Sequence, residues 1–158
     1  MTDDASDWTS RARSTREGIA PLRFLIGDFE GRGTDSGQPI HARASGRLLL
    51  DGSWLELRER LLAPDGTPIH EDFALYRFDP VEEGLRVMHF MERAWHAQYP
   101  VHLEAPGRVR WTTGVGGPQV TIAATDLGWS SQVRLPDQAE PTVVLAYRRT
   151  SLQEHPDR

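Results

Sequence analysis

GDFEGRG, at residues 27–33, begins a series of short segments in which apolar and polar residues alternate. Alternation with a period of two is typical of β-strands that bury one face. About ten such segments follow one another at intervals of roughly 8 to 14 residues, with no helical periodicity between them. The pattern predicts an all-β, up-and-down antiparallel barrel of about ten strands.

Turn residues separate the predicted strands. Asp51-Gly52 and Pro64-Asp65-Gly66 are typical turn sequences, because glycine readily adopts the positive φ that tight turns need. Upstream, Pro21 is expected to begin a short helical turn, Leu22–Ile26, that closes one barrel end. The predicted strands are Phe29–Thr34, Ile40–Leu50, Ser53–Leu62, Pro68–Phe78, Leu85–Glu92, Trp95–Leu103, Arg108–Thr113, Gln119–Thr125, Trp129–Leu135 and Thr142–Thr150.

The length of 158 residues is that of about one domain. We expect a flexible or weakly helical leader at residues 1–18, the barrel domain at 19–152 and a tail at 153–158. The polar N-terminus lacks the apolar core of a signal peptide, and no segment has the ~20 apolar residues of a membrane span. These features predict a cytoplasmic protein without a membrane span.

The composition excludes several chemistries. The absence of cysteine excludes disulfides, thiolate ligation of metal or haem, and cysteine nucleophiles. The absence of lysine excludes Schiff-base catalysis and the lysine of phosphate-binding loops. The net charge of −5 does not favour nucleic acid as a partner. A homodimer is left open.

The start of the predicted barrel resembles nitrobindin-like and related domains of the calycin group, which are small ten-stranded barrels akin to fatty-acid-binding proteins. The shared pattern is Gly-x-aromatic-x-Gly-x-Gly, here with Phe29 as its aromatic residue and with Leu22 and Leu25 before it. The resemblance implies a cavity for a small ligand, and in nitrobindin-like proteins a histidine near the last strand ligates haem. The run Pro141–Thr150 contains no histidine, so we expect weak haem binding at best, with His89 as the first candidate ligand.

Two titratable residues alternate with apolar ones and are predicted to face the barrel interior. His89 shares a strand face with Leu85, Val87 and Met91, and its imidazole exchanges a proton near neutral pH. It is either a hydrogen-bonded core residue or a ligand-binding or acid–base group. Glu59 shares a face with Leu57, where an unpaired carboxylate would have a raised pKa. It is an acid–base candidate, and exposure at the barrel rim is the alternative.

Further predicted ligand contacts come from aromatic and basic residues. Tyr147 and Arg149 share a face of the last strand, where an inward guanidinium would bind a carboxylate through two parallel hydrogen bonds. A surface position for Arg149 is the alternative. Trp111 and Trp129, with Met91, are predicted to line the cavity or to fill the core. His70 and Asp72 can cooperate on one strand face, but two ligands do not make a closed zinc site.

These patterns leave three functional classes open. The first is a binding protein for a small hydrophobic or amphipathic molecule, such as a lipid-like metabolite or haem. The second is an enzyme that catalyses cyclisation or isomerisation in the same cavity, with Glu59 or His89 as the acid–base group and Arg149 orienting a carboxylate. The third is an interaction domain with a filled core.

Overall fold

The computed structural model of the protein describes residues 14–91 and 95–150, and the side chains of all of these except residues 91, 95 and 96. Ten antiparallel strands form a closed barrel, which confirms the predicted all-β, up-and-down architecture. The strands are β1 (Gly27–Asp35), β2 (Gln38–Leu49), β3 (Trp54–Leu62), β4 (Pro68–Asp79), β5 (Gly84–Met91), β6 (Trp95–Ala105), β7 (Arg108–Thr112), β8 (Gln119–Thr125), β9 (Gly128–Arg134) and β10 (Val143–Arg149).

Each strand pairs with the next one in sequence, and β1 also pairs with β10 to close the barrel. Close backbone contact makes this closure dependent on glycine. A Cβ atom at Gly33 of β1 would overlap the carbonyl oxygen of Val144 in β10. Only glycine therefore fits this position, as expected where a strand comes close to another backbone.

A short 3-10 helix, Ala20–Leu25, lies across one end of the barrel, and we call it the plug helix. It follows a helical segment at residues 14–18 and has Pro21 in its first turn, where the missing N–H has no cost. Leu22 and Leu25 are fully buried and belong to the barrel core. The short N-terminal helix was predicted two residues later, at 22–26.

The inward side chains divide the barrel into two halves along its axis. Near the plug helix the interior is filled by large buried side chains, among them Phe29, Leu55 and Trp129. Toward the other end, which carries the β1–β2, β3–β4 and β7–β8 turns, the interior contains a cavity. Among the described residues, no helix has the length and apolar character needed to cross a bilayer.

Candidate functional site

The cavity has a volume of about 480 Å³, which is within the usual range for pockets that bind small molecules. Most of its wall is apolar or aromatic, and four of its polar side chains come from three neighbouring strands, β3, β4 and β5. The apolar and aromatic lining consists of Leu57, Leu61, Ile69, Ala74, Tyr76, Tyr99, Trp111, Pro118, Val120, Ile122, Val133 and Val143.

Three neighbouring strands place four titratable residues on the cavity wall, and we call Glu59, His70, Asp72 and His89 the acid–imidazole cluster. The β3–β4 register sets Glu59 opposite Asp72. The β4–β5 register sets His89 opposite Ala74, two residues beyond Asp72 on the same face. The pairing of strands therefore assembles groups that are up to thirty residues apart in sequence.

Asp72 is the centre of this cluster. Its Oδ1 atom lies 2.7 Å from Nε2 of His70 and 3.4 Å from Nε2 of His89. Burial works against the charged form of Asp72, but its contacts with His89 and His70 outweigh burial and lower the pKa of the carboxyl. Asp72 is therefore a carboxylate that orients two imidazoles.

Glu59 has the opposite electrostatic environment. The surrounding protein removes most water from its carboxyl, and the negative charge of Asp72 adds to this effect. Together they raise the pKa of Glu59 to about 7, although Tyr147, His70 and His89 act in the other direction. Among the residues that the structure describes, no arginine forms an ion pair with Glu59. Glu59 can therefore gain or lose a proton near neutral pH.

Aromatic rings form the wall beside the cluster. Trp111 stacks on Tyr99 with ring centroids 5.8 Å apart, and its edge contacts the His89 ring at 5.1 Å. The indole Nε1 of Trp111 is buried without a hydrogen-bond partner among the described residues. Burial raises the pKa of the Tyr76 phenol, so this group stays neutral and can donate a hydrogen bond.

The structure places Glu59, His89 and Trp111 on the cavity wall. Trp129 and Tyr147 are buried in the core but are not part of the lining. Their rings stack on each other with centroids 3.7 Å apart. The side chain of Met91 lies outside the described part of the chain.

Arg149 lies at the plugged end, away from the cavity. Its Nη1 atom donates a hydrogen bond of 2.5 Å to the carbonyl oxygen of Ile26, and its guanidinium lies 4.7 Å from the Phe29 ring centroid. The predicted clamp of Tyr147 and Arg149 is therefore not assembled on the cavity wall. Inward and outward side chains alternate to the end of β10, but the cavity does not extend to that end of the barrel.

Several polar groups of the site were not predicted as site residues from the sequence. His70 and Asp72 were recognised as a pair on one face but were considered only as zinc ligands. Tyr76 and Ser131 line the cavity as well. Tyr76 could have been found by continuing the Asp72 face along β4, since it is four residues further on.

The site residues do not fit a haem group. The Nε2 atom of His89 points toward Asp72 rather than standing free for iron. The cavity wall carries carboxylates, and no described arginine lines it to pair with haem propionates. Within the described residues, no three His, Cys, Asp or Glu side chains are arranged to hold a metal ion.

Comparison with known proteins gives no further assignment. No protein-family model matches the chain, and no curated protein matches it.

Proposed function

We propose that the barrel binds one small amphipathic molecule, with its apolar body in the cavity and its polar end at the acid–imidazole cluster. The observation that carries this proposal is the separation of apolar and titratable side chains on the cavity wall. Apolar side chains surround most of the 480 Å³, and Glu59, Asp72 and the two imidazoles lie together on β3, β4 and β5. The resemblance to calycin-group barrels supports the same function.

Each part of the wall has a separate role in this binding mode. Removing an apolar body from water provides most of the affinity, in proportion to the area buried. Burying a polar end without a partner would cost several kcal/mol, so a ligand must place that end against the cluster. The cluster therefore fixes the orientation of the ligand, and the apolar wall retains it.

A cavity-filling substitution tests the proposal. Val133 lines the cavity, whereas Gln132, the residue before it in β9, is exposed on the outer face. N-phenyl-1-naphthylamine, an apolar fluorophore that is uncharged at neutral pH, should bind the parent protein with increased emission. Val133→Trp should weaken this binding about tenfold or more by occupying the space, whereas Gln132→Trp should leave it unchanged. Equal binding by both variants would place the fluorophore outside the barrel and contradict the proposal.

Acid–base catalysis is a second candidate function, favoured by the Glu59 carboxyl with its pKa of about 7 on the cavity wall. In an isomerisation, Glu59 would remove a proton from the carbon next to a carbonyl group. The same proton would return to another carbon of the resulting enolate, so no other reactant is needed. His89 or Tyr76 would donate a hydrogen bond to the enolate oxygen.

Conversion of cyclohex-3-enone to its conjugated isomer, followed by ultraviolet absorbance, tests this activity. The parent should accelerate the reaction above buffer, and Glu59→Gln should lose most of that acceleration, because an amide cannot accept the proton. His89→Gln should retain part of it. No acceleration by the parent, or equal rates for parent and Glu59→Gln, would exclude Glu59 as the base.

A further inference from the structure

Three carboxylates line the cavity, at Asp35, Glu59 and Asp72. No arginine among the described residues lines it, and the chain contains no lysine. His70 and His89 both direct Nε2 at Asp72 and form no ion pair with Glu59. Among the described residues, neither Asp35 nor Glu59 forms an ion pair, and of the two Glu59 is the one that belongs to the acid–imidazole cluster.

Aromatic rings accompany this carboxylate. Tyr76, Tyr99 and Trp111 line the same cavity, and Tyr99 and Trp111 form a stacked pair with an angle of 13° between their planes. The faces of such rings carry partial negative charge and attract organic cations. Carboxylate and aromatic faces together are the chemistry that recognises an ammonium group.

We propose that the cavity selects a ligand whose polar end is an organic ammonium group, bound by Glu59 beside the Trp111 and Tyr99 rings. This inference rests on the proposed function and names its ligand class. It also replaces the carboxylated ligand expected from Tyr147 and Arg149.

A carboxylated ligand is disfavoured by the same wall. Its charge would enter a poorly solvated space that already holds the Asp72 carboxylate, with no guanidinium to compensate it. An ammonium group instead gains a charge-assisted hydrogen bond to Glu59 and removes an unpaired carboxylate from the cavity. The charges that line the cavity therefore favour an ammonium group over a carboxylate.

Proton release should accompany this recognition. Glu59 must be ionised to pair with an ammonium group, and its pKa of about 7 leaves it largely protonated at pH 6. The groups that act on it are Asp72 and His70 from β4, His89 from β5 and Tyr147 from β10, while β2 presents only Ala42 and Ala44 to the interior nearby. Ammonium binding should therefore strengthen about tenfold between pH 6 and pH 8.

Three probes with one apolar chain and different polar ends test the inference. Decylamine, decanol and decanoate, each below its critical micelle concentration, would displace N-phenyl-1-naphthylamine from the parent protein at pH 8. We expect decylamine to displace the fluorophore at a concentration at least about tenfold lower than decanoate, with decanol between them. Equal or stronger displacement by decanoate would overturn the inference.

Two matched variants assign the preference to Glu59. Glu59→Gln should weaken decylamine binding about tenfold, leave decanol within about twofold and remove most of the pH dependence. Glu71→Gln removes the same charge from the outer face of β4, where Glu71 pairs with Arg60, and should change none of these values. If both variants had equal effects, the preference for decylamine would come from the net charge of −5 and not from Glu59, and the inference would be overturned.

The outcomes separate this inference from the proposed function. If the fluorophore and decanol bind but decylamine is not preferred, the cavity binds ligands and only the ammonium assignment fails. If neither the fluorophore nor any decyl probe binds, the proposed binding function itself fails. A single cooperative thermal unfolding transition for each variant, at a temperature no lower than that of the parent, shows that loss of binding is not loss of fold.

Discussion

The two halves of this barrel use the same strands for different purposes. In the plugged half, Leu22 and Leu25 of the plug helix complete a filled core around Phe29 and Trp129. In the cavity half, the inward side chains are largely apolar or aromatic as well, but they leave a cavity and include the carboxylates of Glu59 and Asp72. A substitution near the plug helix therefore removes packing, whereas one at Glu59 changes a cavity-lining side chain that is not part of the buried hydrophobic core.

This difference implies that stability and binding are separable within one barrel. The partly buried Glu59 carboxyl costs stability when it is ionised, because the surrounding protein removes water from it and it forms no ion pair among the described residues. Residues that reduce stability and yet line a cavity are typical of functional sites. Three substitutions test this difference between the two halves, and they follow in order of decreasing expected effect on stability.

The largest effect is expected at the plug helix. Leu25→Ala removes a fully buried side chain and leaves a void, so the free energy of unfolding should fall by about 3 kcal/mol. Leu127→Ala, at the same barrel end but exposed, should change it by less than about 0.5 kcal/mol. Urea unfolding measures both. A loss below about 1 kcal/mol for Leu25→Ala would mean that the plug is not part of the core.

The next largest effect on the free energy of unfolding is expected at Glu59 in the cavity half, and it depends on pH. Between the usual pKa of 4.5 and the folded pKa of about 7, the folded state keeps the Glu59 proton that the unfolded chain has lost. The stability of the parent therefore falls as pH rises through this window and reaches its full penalty above pH 7. Glu59→Gln lacks the penalty, so from pH 5 to pH 8 its stability relative to the parent should rise by about 2 kcal/mol.

Urea unfolding of both proteins at pH 5, 6, 7 and 8 gives this difference directly. The other titrating groups of the cluster are present in both proteins, so their contribution largely cancels. A difference that stays constant across the four pH values would show that Glu59 titrates alike in the folded and unfolded states.

The smallest effect is expected at the boundary of the two halves. The Tyr147 ring stacks on Trp129, and its buried hydroxyl favours the ionised form of Glu59, so that it lowers the pKa of this carboxyl. Tyr147→Phe keeps the stacked ring and should change stability by less than about 1 kcal/mol. It should also raise the pKa of Glu59, measured by carboxyl-carbon NMR titration. A lower pKa would reverse the inferred role of the hydroxyl.

Much of the fold could be predicted from the sequence, because each strand carries its own signal. Alternation and turn residues are local properties, and β8 was predicted with the bounds that the structure has. Longer strands such as β6 extend to Ala105, because pairing with β7 continues past the last alternating residue. Strand ends are set by partners, which a local pattern does not include.

The candidate site was less predictable, because alternation gives the face of a residue and not its depth in the barrel. It placed Glu59 and His89 inward, and both line the cavity. Arg149 and Trp129 were assigned to the same cavity, but the plug helix and its core occupy that end. The cluster around Asp72 depends on the registers of β3, β4 and β5, which the sequence of one strand does not reveal.

The pairing of β1 with β10 has a consequence for folding kinetics. Nine of the ten ladders join consecutive strands and form from local hairpins, but the tenth joins residues such as Phe29 and Arg149, which are 120 positions apart. Closing a loop of that length has a large entropic cost before any native contact offsets it, so contacts of long sequence separation slow folding. A circular permutant that joins the end of β10 to the segment before β1, and opens the chain at the exposed 64–66 turn, would make this ladder local. In that permutant the β3–β4 ladder becomes the long-range one, so its folding rate, compared with that of the parent, would report whether the barrier depends on which pair of strands closes the barrel.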